Sequence, residues 1–211
     1  YLEKSGAGGA PSDQVSGRVS SDGRLMLYAV TGPSGQGHET SFAQIVGSGL
    51  GMSTDMIGYR AGDPSRQLIG NGTGGSRSLY GAGSAFKNLA QAILEKARTA
   101  AAARLDVDIE ALSFEAGRFM TDDGRALTIS DLVRELAPAD GGPHPLDSDA
   151  HTITGANYPN GCHVAEIEID PDTGTTELLA YTAVDDLGNI VSPELVRGQV
   201  HGGVVQGAGQ A

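Results

Sequence analysis

The stretch from Val15 to Thr40, VSGRVSSDGRLMLYAVTGPSGQGHET, decides the local fold of this 211-residue chain. Alternating apolar residues flank Asp22-Gly23, a pair typical of the turn in a two-stranded hairpin. A glycine-rich loop from Thr31 to His38 follows the second strand. Apolar residues then recur at helical spacing between Phe42 and Gly49. We therefore predict strand, turn, strand, loop and helix, with Thr40 or Ser41 as the helix cap.

Further elements follow on the C-terminal side of this stretch. They are a strand at 56–59, a glycine-rich loop at 70–75, a long helix from Leu79 to Arg104, a hairpin within 111–129, a short helix from the cap Ser130 to before Pro138, a loop at 139–148, a hairpin of 163–170 with 175–184, and a helix that Ser192-Pro193 opens. Hairpins with interspersed helices indicate an α+β chain, which we expect to form two lobes with boundaries near 105–110 and 139–150.

Composition excludes several classes of protein. The chain has 26 acidic and 14 basic residues, a formal charge of −12, which argues against nucleic acid as a partner. No run of apolar residues is long enough for a membrane span. The one cysteine, Cys162, fits a reducing compartment, so we expect a cytoplasmic location. Because the chain opens on Tyr1 and closes on Ala211 within the expected last helix, we interpret it as a piece of a longer chain.

Two glycine-rich loops are candidate binding sites, because each precedes a helix. Free N–H groups at a helix N-terminus suit an anion, and glycine lets the backbone approach a ligand. Gly35 to Thr40 offers Gln36 as donor and acceptor, with a tight turn as the alternative interpretation. Gly70 to Ser78 adds three hydroxyls and Arg77, which favour a phosphate, with a flexible loop as the alternative. The second loop matches neither the P-loop nor the dinucleotide fingerprint.

The last helix carries five glycines between Gly198 and Gly209. Each glycine in a helix interior costs about 1 kcal/mol relative to alanine, so we expect close packing against a backbone or a ligand as compensation. Helical spacing puts Gln199, Gln206 and Gln210 on one face. A solvated glutamine stripe is the alternative.

The remaining polar clusters favour structural roles. Cys162 and His163, considered with His151, do not chelate a metal readily, since neighbours in a strand face opposite ways. His144 is most simply a loop residue. The acidic pairs Asp122-Asp123 and Asp185-Asp186 are explained by turns. No catalytic triad signature is found.

Four segments in order resemble the molybdenum hydroxylases, the family of xanthine dehydrogenase, aldehyde oxidase and aerobic carbon monoxide dehydrogenase. These segments are Gly35 to Ile45, Gly72 to Ser78, Asn160 to Glu166 and Gly198 to Gly209, and the likeness extends over nearly the whole chain. The resemblance implies that residues 1–211 are part of the molybdopterin-binding domain of the large subunit.

The resemblance also implies a cofactor and its contacts. The cofactor is molybdopterin with molybdenum, in the cytosine dinucleotide form common in bacteria. Gln36 lies near the metal's oxo group or the pterin, and Gln199 contacts the pterin. The expected cofactor-binding residues are Gln36, Gly37, His38, Thr40, Gly72, Thr73, Gly75, Ser76, Arg77, Ser78 and Gln199. No side chain ligates the metal, and no catalytic residue is expected within this chain.

Family chemistry hydroxylates a carbon centre of a small molecule with water, and a glutamate acts as general base. The segment with that glutamate would lie beyond Ala211, so we expect the chain alone to be inactive. The expected partners are the rest of the large subunit and subunits or domains that carry FAD and [2Fe-2S]. Two alternatives stay open: a non-catalytic module that binds another phosphate-bearing ligand, and a purely structural glycine-rich domain.

Overall fold

The structure, a computed structural model, describes residues 1–6, 9–10, 12–153 and 155–210, which contain nine strands and four α-helices besides short 3-10 and π-helical turns. The strands are β1 (Ser12–Val19), β2 (Leu25–Ala29), β3 (Ile57–Ala61), β4 (Ser113–Glu115), β5 (Arg118–Met120), β6 (Ala126–Thr128), β7 (Ser148–Ile153), β8 (Asn160–Ile169) and β9 (Thr176–Asp186). The helices are α1 (His38–Leu50), α2 (Ser84–Leu105), α3 (Ile129–Glu135) and α4 (Pro193–Ala208). The predicted α+β class is confirmed.

The main sheet has the strand order β3-β2-β1-β7. The first predicted hairpin is present, with Val19 of β1 opposite Leu25 of β2. Strands β2 and β3 are parallel and α1 connects them, whereas β7 is antiparallel to β1. Strand β7 was not predicted, because its residues are mostly polar. Its pairing includes an ion pair of 2.7 Å between Arg18 Nη2 and Asp149 Oδ1.

The hydrophobic core lies between this sheet and the helices α1 and α2. Phe42 of α1 and Phe86 of α2 are fully buried, and their ring centroids are 4.9 Å apart. The predicted long helix is confirmed, although its first residues, Leu79–Gly83, form a wider π-helical turn before α2 begins. Burial of these aromatic and aliphatic side chains is the main stabilising contribution to this part of the fold.

The predicted caps of α1 (Thr40 or Ser41) and α3 (Ser130) are wrong, whereas Ser192 is the N-cap residue of α4 as predicted. Helix α1 begins at His38, directly after Gly37 in the left-handed conformation (φ +77°), so Thr40 lies inside the helix. Helix α3 begins at Ile129, and the Thr128 hydroxyl accepts the Asp131 N–H. The predicted second hairpin is one half of a three-stranded meander, β4-β5-β6.

The third predicted hairpin, β8-β9, is confirmed, and its two strands form a separate sheet. Large apolar side chains stay exposed there, including Val164 at 58% and Val184 at 70%. Helix α4 begins at Pro193, as expected, and ends at Ala208, while Ala211 lies outside the described residues. Among the described helices, none has both the length and the apolar character to cross a membrane. The lobe boundaries stay a prediction.

Candidate functional site

A cleft of 2390 Å³ lies between α1, the loop before α2, the hairpin β8-β9 and α4. Seven predicted site residues line it, and they come from three distant parts of the chain: Gln36, His38, Thr73, Ser76, Arg77, Ser78 and Gln199. Four predicted residues do not line the cleft: Gly37, Thr40, Gly72 and Gly75. Thr40 instead lines a separate pocket of 260 Å³ beside Ile57. The fold therefore brings both glycine-rich loops and α4 to one cavity.

The first loop turns sharply into α1. Gly35 and Gly37 have φ of +98° and +77°, values that disfavour other residues. A Cβ at Gly37 would lie 2.6 Å from Leu195 Cδ2, so this glycine also permits α4 to approach α1. The Gln36 Oε1 accepts the Ser34 N–H at 2.5 Å, which fixes the side-chain amide at the cleft edge.

His38 is a buried polar group of the cleft wall. Its ring stacks on Phe42, with centroids 5.2 Å apart, and the residue is only 5% exposed. Burial lowers the pKa of this imidazole, and a hydrogen bond to the Thr31 backbone opposes the shift. Within the described part of the chain, His38 Nδ1 and Gln44 Oε1 are buried without hydrogen-bond partners. A polar ligand in the cleft would satisfy such atoms.

Two of the three hydroxyls in the second loop donate hydrogen bonds to other groups of the chain. The Thr73 hydroxyl donates to the Gly32 carbonyl, and the Ser76 hydroxyl donates to Glu3 Oε1 at 2.6 Å. An added Cβ at Gly72, Gly74 or Gly75 would meet no atom of the described residues within 4 Å. Of these three glycines only Gly74 lines the cleft, so the loop backbone is open to a ligand at that residue.

Asp13 on β1 anchors this second loop, a role that was not predicted from the sequence. Its Oδ1 accepts the Asn71 backbone N–H at 2.8 Å and the Asn71 Nδ2 at 3.1 Å, while Oδ2 lies 3.6 Å from Arg77 Nη2. The buried Arg77 thus pairs with protein and lines the cleft at once. Asp13 lies two residues before Val15, so strand alternation puts both on the core face of β1. A carboxylate on an apolar face is costly unless it is paired, and this feature of the sequence could have marked Asp13 as an anchoring residue.

Helix α4 turns Gln199, Gly203 and Gly207 to the cleft, but not Gln206 or Gln210. The three glutamines predicted to share one face therefore lie in two environments, with Gln199 at the cleft and the other two away from it. An added Cβ would meet no described atom within 4 Å at Gly198, Gly202, Gly203 and Gly207. The expected close packing against these glycines is thus not found among the described residues.

The prediction that a turn explains the second acidic pair is wrong. Asp185 and Asp186 end β9 and do not lie in a turn. Across the residues that the structure describes, no group of three His, Cys, Asp or Glu side chains is arranged to hold a metal ion.

Comparisons with known proteins agree on one family. The family model for the molybdopterin cofactor-binding domain matches residues 1–211. The chain is 35% identical over 197 residues to the carbon monoxide dehydrogenase large chain of Hydrogenophaga pseudoflava, covering 90% of this chain and 24% of the relative. It is 35% identical over 216 residues to the 6-hydroxypseudooxynicotine dehydrogenase complex subunit gamma of Paenarthrobacter nicotinovorans, covering 100% of this chain and 27% of the relative.

A solved structure agrees with these relatives. The structure of reconstituted CO dehydrogenase from Oligotropha carboxidovorans superposes with a TM-score of 0.87 at 31% identity, covering 96% of this chain and 27% of that chain. The chain thus spans about a quarter of the length of these relatives.

Proposed function

Because this chain belongs to the molybdopterin cofactor-binding domain family, we propose that its cleft holds the molybdopterin of an oxidoreductase, with the two glycine-rich loops and α4 as the contacts. The observation that carries the proposal is the convergence of Gln36, Ser76 and Gln199 on one cleft from separate elements. Such convergence of polar side chains in a large concave site is typical of a ligand pocket.

The cleft fits a polar, anionic cofactor. The unpartnered His38 Nδ1 and Gln44 Oε1 are buried acceptors that a ligand N–H would satisfy. Gln36 and Gln199 can each both donate and accept, which suits the pterin ring. When bound, the cofactor supplies a molybdenum centre for two-electron oxidation of a small molecule. The residues of this chain bind and orient it.

The pyrophosphate end is assigned to the second loop. Ser76, Ser78 and Thr73 carry hydroxyls and line the cleft together with Gly74, where an added Cβ would meet no described atom within 4 Å. The buried ion pair of Arg77 with Asp13 holds this loop against β1, and the Arg77 guanidinium, which lines the cleft, is the proposed hydrogen-bond donor to the anion. The cytosine dinucleotide form is the finer part of the proposal, and it rests on the likeness of residues 72–78 to bacterial pyrophosphate-binding loops.

The whole protein is proposed to hydroxylate or dehydrogenate a small molecule. The relatives include a carbon monoxide dehydrogenase and a dehydrogenase complex subunit. For this chain we propose the rest of a large subunit as a partner, together with iron–sulfur and flavin subunits or domains. The base glutamate of the family is proposed to lie outside these residues. A reducing, cytoplasmic setting agrees with Cys162 as a free thiol.

Pterin content tests the loop assignment. Protein that carries this chain is purified from molybdate-supplemented cells and oxidised in acid, and pterin fluorescence is measured. Replacing Ser76 and Ser78 together by alanine should lower the pterin content several-fold without unfolding the chain. Ser113→Ala, an exposed serine of β4, is the matched control and should retain it. Equal pterin in all three proteins would refute the loop assignment, and a bound nucleotide without pterin would favour another phosphate ligand.

A further inference from the structure

A hydrogen-bonded cluster lies on the cleft wall at the open end of the hairpin β8-β9. The His163 ring bonds at both nitrogens: Nε2 to Asp185 Oδ1 and Nδ1 to the Tyr181 hydroxyl, each at 2.9 Å. All three residues line the cleft.

The strand register explains how these three side chains meet. His163 lies opposite Ala183, so Tyr181 and Asp185 are its two diagonal neighbours on the same face. The small side chain of Ala183 leaves room for the imidazole between them. Gly161 lies opposite Asp185, and a Cβ there would be 2.4 Å from Asp185 Oδ1. Only glycine at 161 accommodates the carboxylate in this position.

The proton positions follow when the carboxylate is taken as ionised and the imidazole as neutral. An ionised carboxylate accepts only, so His163 Nε2 carries a hydrogen and donates it to Asp185. In the neutral imidazole Nδ1 is then an acceptor, and the Tyr181 hydroxyl donates to it. The Tyr1 hydroxyl also bonds to Asp185. The pKa of Tyr1 is raised, mainly by partial desolvation and to a smaller extent by this hydrogen bond. Asp185 is therefore held from two sides, and its side chain is only 10% exposed.

We propose that Asp185, His163 and Tyr181 form a proton relay that presents the Tyr181 hydroxyl, as an acid–base group, to a small molecule in the cleft. In this cluster a carboxylate orients an imidazole, and the imidazole in turn bonds to a hydroxyl. Catalytic triads use the same geometry to activate a hydroxyl nucleophile. The ligand class is a molecule with an ionisable oxygen or ring nitrogen.

The proton transfers balance without a redox step. When a ligand atom gives its proton to the Tyr181 oxygen, the Tyr181 proton passes to His163 Nδ1, and Asp185 stabilises the resulting imidazolium. In the reverse direction Nδ1 returns the proton to Tyr181 as the hydroxyl protonates the ligand. His163 and Asp185 are positioning residues, because they act through Tyr181.

A phenol-directed probe tests the relay independently of any cofactor. An aryl sulfonyl fluoride forms an O–S bond with a phenol and releases fluoride, and a neighbouring base takes the phenol proton. Labelling of each tyrosine is followed by peptide mass spectrometry. Tyr158 is the internal control, since it is 52% exposed against 38% for Tyr181, so exposure alone predicts the opposite order.

Tyr181 should react at least ~10-fold faster than Tyr158. This threshold is a cautious one, because a general base usually accelerates a reaction by about 100-fold or more. His163→Phe and His163→Gln should both bring Tyr181 down to the rate of Tyr158, because glutamine keeps a hydrogen-bond acceptor but takes up no proton. Asp185→Asn should slow Tyr181, whereas Asp186→Asn, on the other face of β9, should not.

Full reactivity in His163→Gln would show that the histidine only clamps the two strands, and would overturn the relay. Equal rates of Tyr181 and Tyr158 in the unmodified chain would also overturn it. Because Tyr181 lines the cleft, labelling is done on protein from cells grown without molybdate, so that no cofactor shields the hydroxyl and neither result depends on cofactor binding.

Discussion

The Asp13 carboxylate lies 3.6 Å from the Arg77 guanidinium, with only 4% and 9% of the two side chains exposed. This ion pair joins the first strand of the main sheet to the loop assigned to the pyrophosphate. Removal of one partner of a buried pair leaves the other charge in a poorly solvating environment.

Asp13→Ala should therefore lower the free energy of unfolding by about 3–5 kcal/mol, and Asp13→Asn by less, since asparagine still accepts the Asn71 N–H. Urea denaturation measures both. Glu135→Ala is the control, because its pair with Arg104 is exposed and worth about 0–1 kcal/mol. Similar losses for Asp13→Ala and Glu135→Ala would contradict the anchoring role.

Gly37 and Gly72 belong to the two loops but should respond differently to alanine. At Gly37 the backbone is left-handed and Leu195 Cδ2 would lie 2.6 Å from the new Cβ, whereas Gly72 faces open space. Gly37→Ala should cost about 1–3 kcal/mol in unfolding free energy, and Gly72→Ala close to nothing. Because Gly37 joins α1 to α4, pterin content should fall in Gly37→Ala. Similar losses of unfolding free energy in both variants would argue against this junction.

Stability should depend on pH through His38. The folded state lowers the pKa of this imidazole below 6.5, through burial, so the unfolded chain binds more protons in slightly acidic solution. The free energy of unfolding should therefore decrease as pH falls through 6.5. His38→Gln should flatten this dependence, while His151→Gln, an exposed histidine of β7, should leave it in place. An unchanged slope in His38→Gln would be the contrary result.

The apolar surface of β8-β9 should make the isolated chain self-associate. Val164 and Val184 are 58% and 70% exposed and share the face that is turned away from the cleft. Exposed apolar patches of this kind promote association. Light scattering over a wide concentration range should show oligomers, which Val164→Lys with Val184→Lys should dissociate. A monodisperse monomer at every concentration would contradict this.

Local patterns predicted much of the fold. The turn at Asp22-Gly23, the apolar stripe of α2 and the Ser192-Pro193 helix start are all encoded over short distances. The sequence missed β7, because a polar edge strand has no strong apolar alternation and depends on its partner β1. The prediction of Thr40 as the cap was wrong because α1 begins earlier, at His38, directly after Gly37 in the left-handed conformation.

The cleft was predicted in part. Glycine-rich loops before helices marked Gln36 and Ser76, and both line it. The anchoring role of Asp13 and the bonds of His163 depend on residues far apart in sequence that meet only in the folded chain. Residue spacing within a single element carries no information on such pairs.

The central claim, that this cleft holds molybdopterin, is tested most directly by the molybdenum content of protein that carries the chain. After purification from molybdate-supplemented cells, elemental analysis should find close to stoichiometric molybdenum, and acid oxidation should release matching pterin fluorescence. A combined Gln36→Ala and Gln199→Ala variant should lose both together. Folded protein without molybdenum or pterin, or a variant that retains both in full, would contradict the claim.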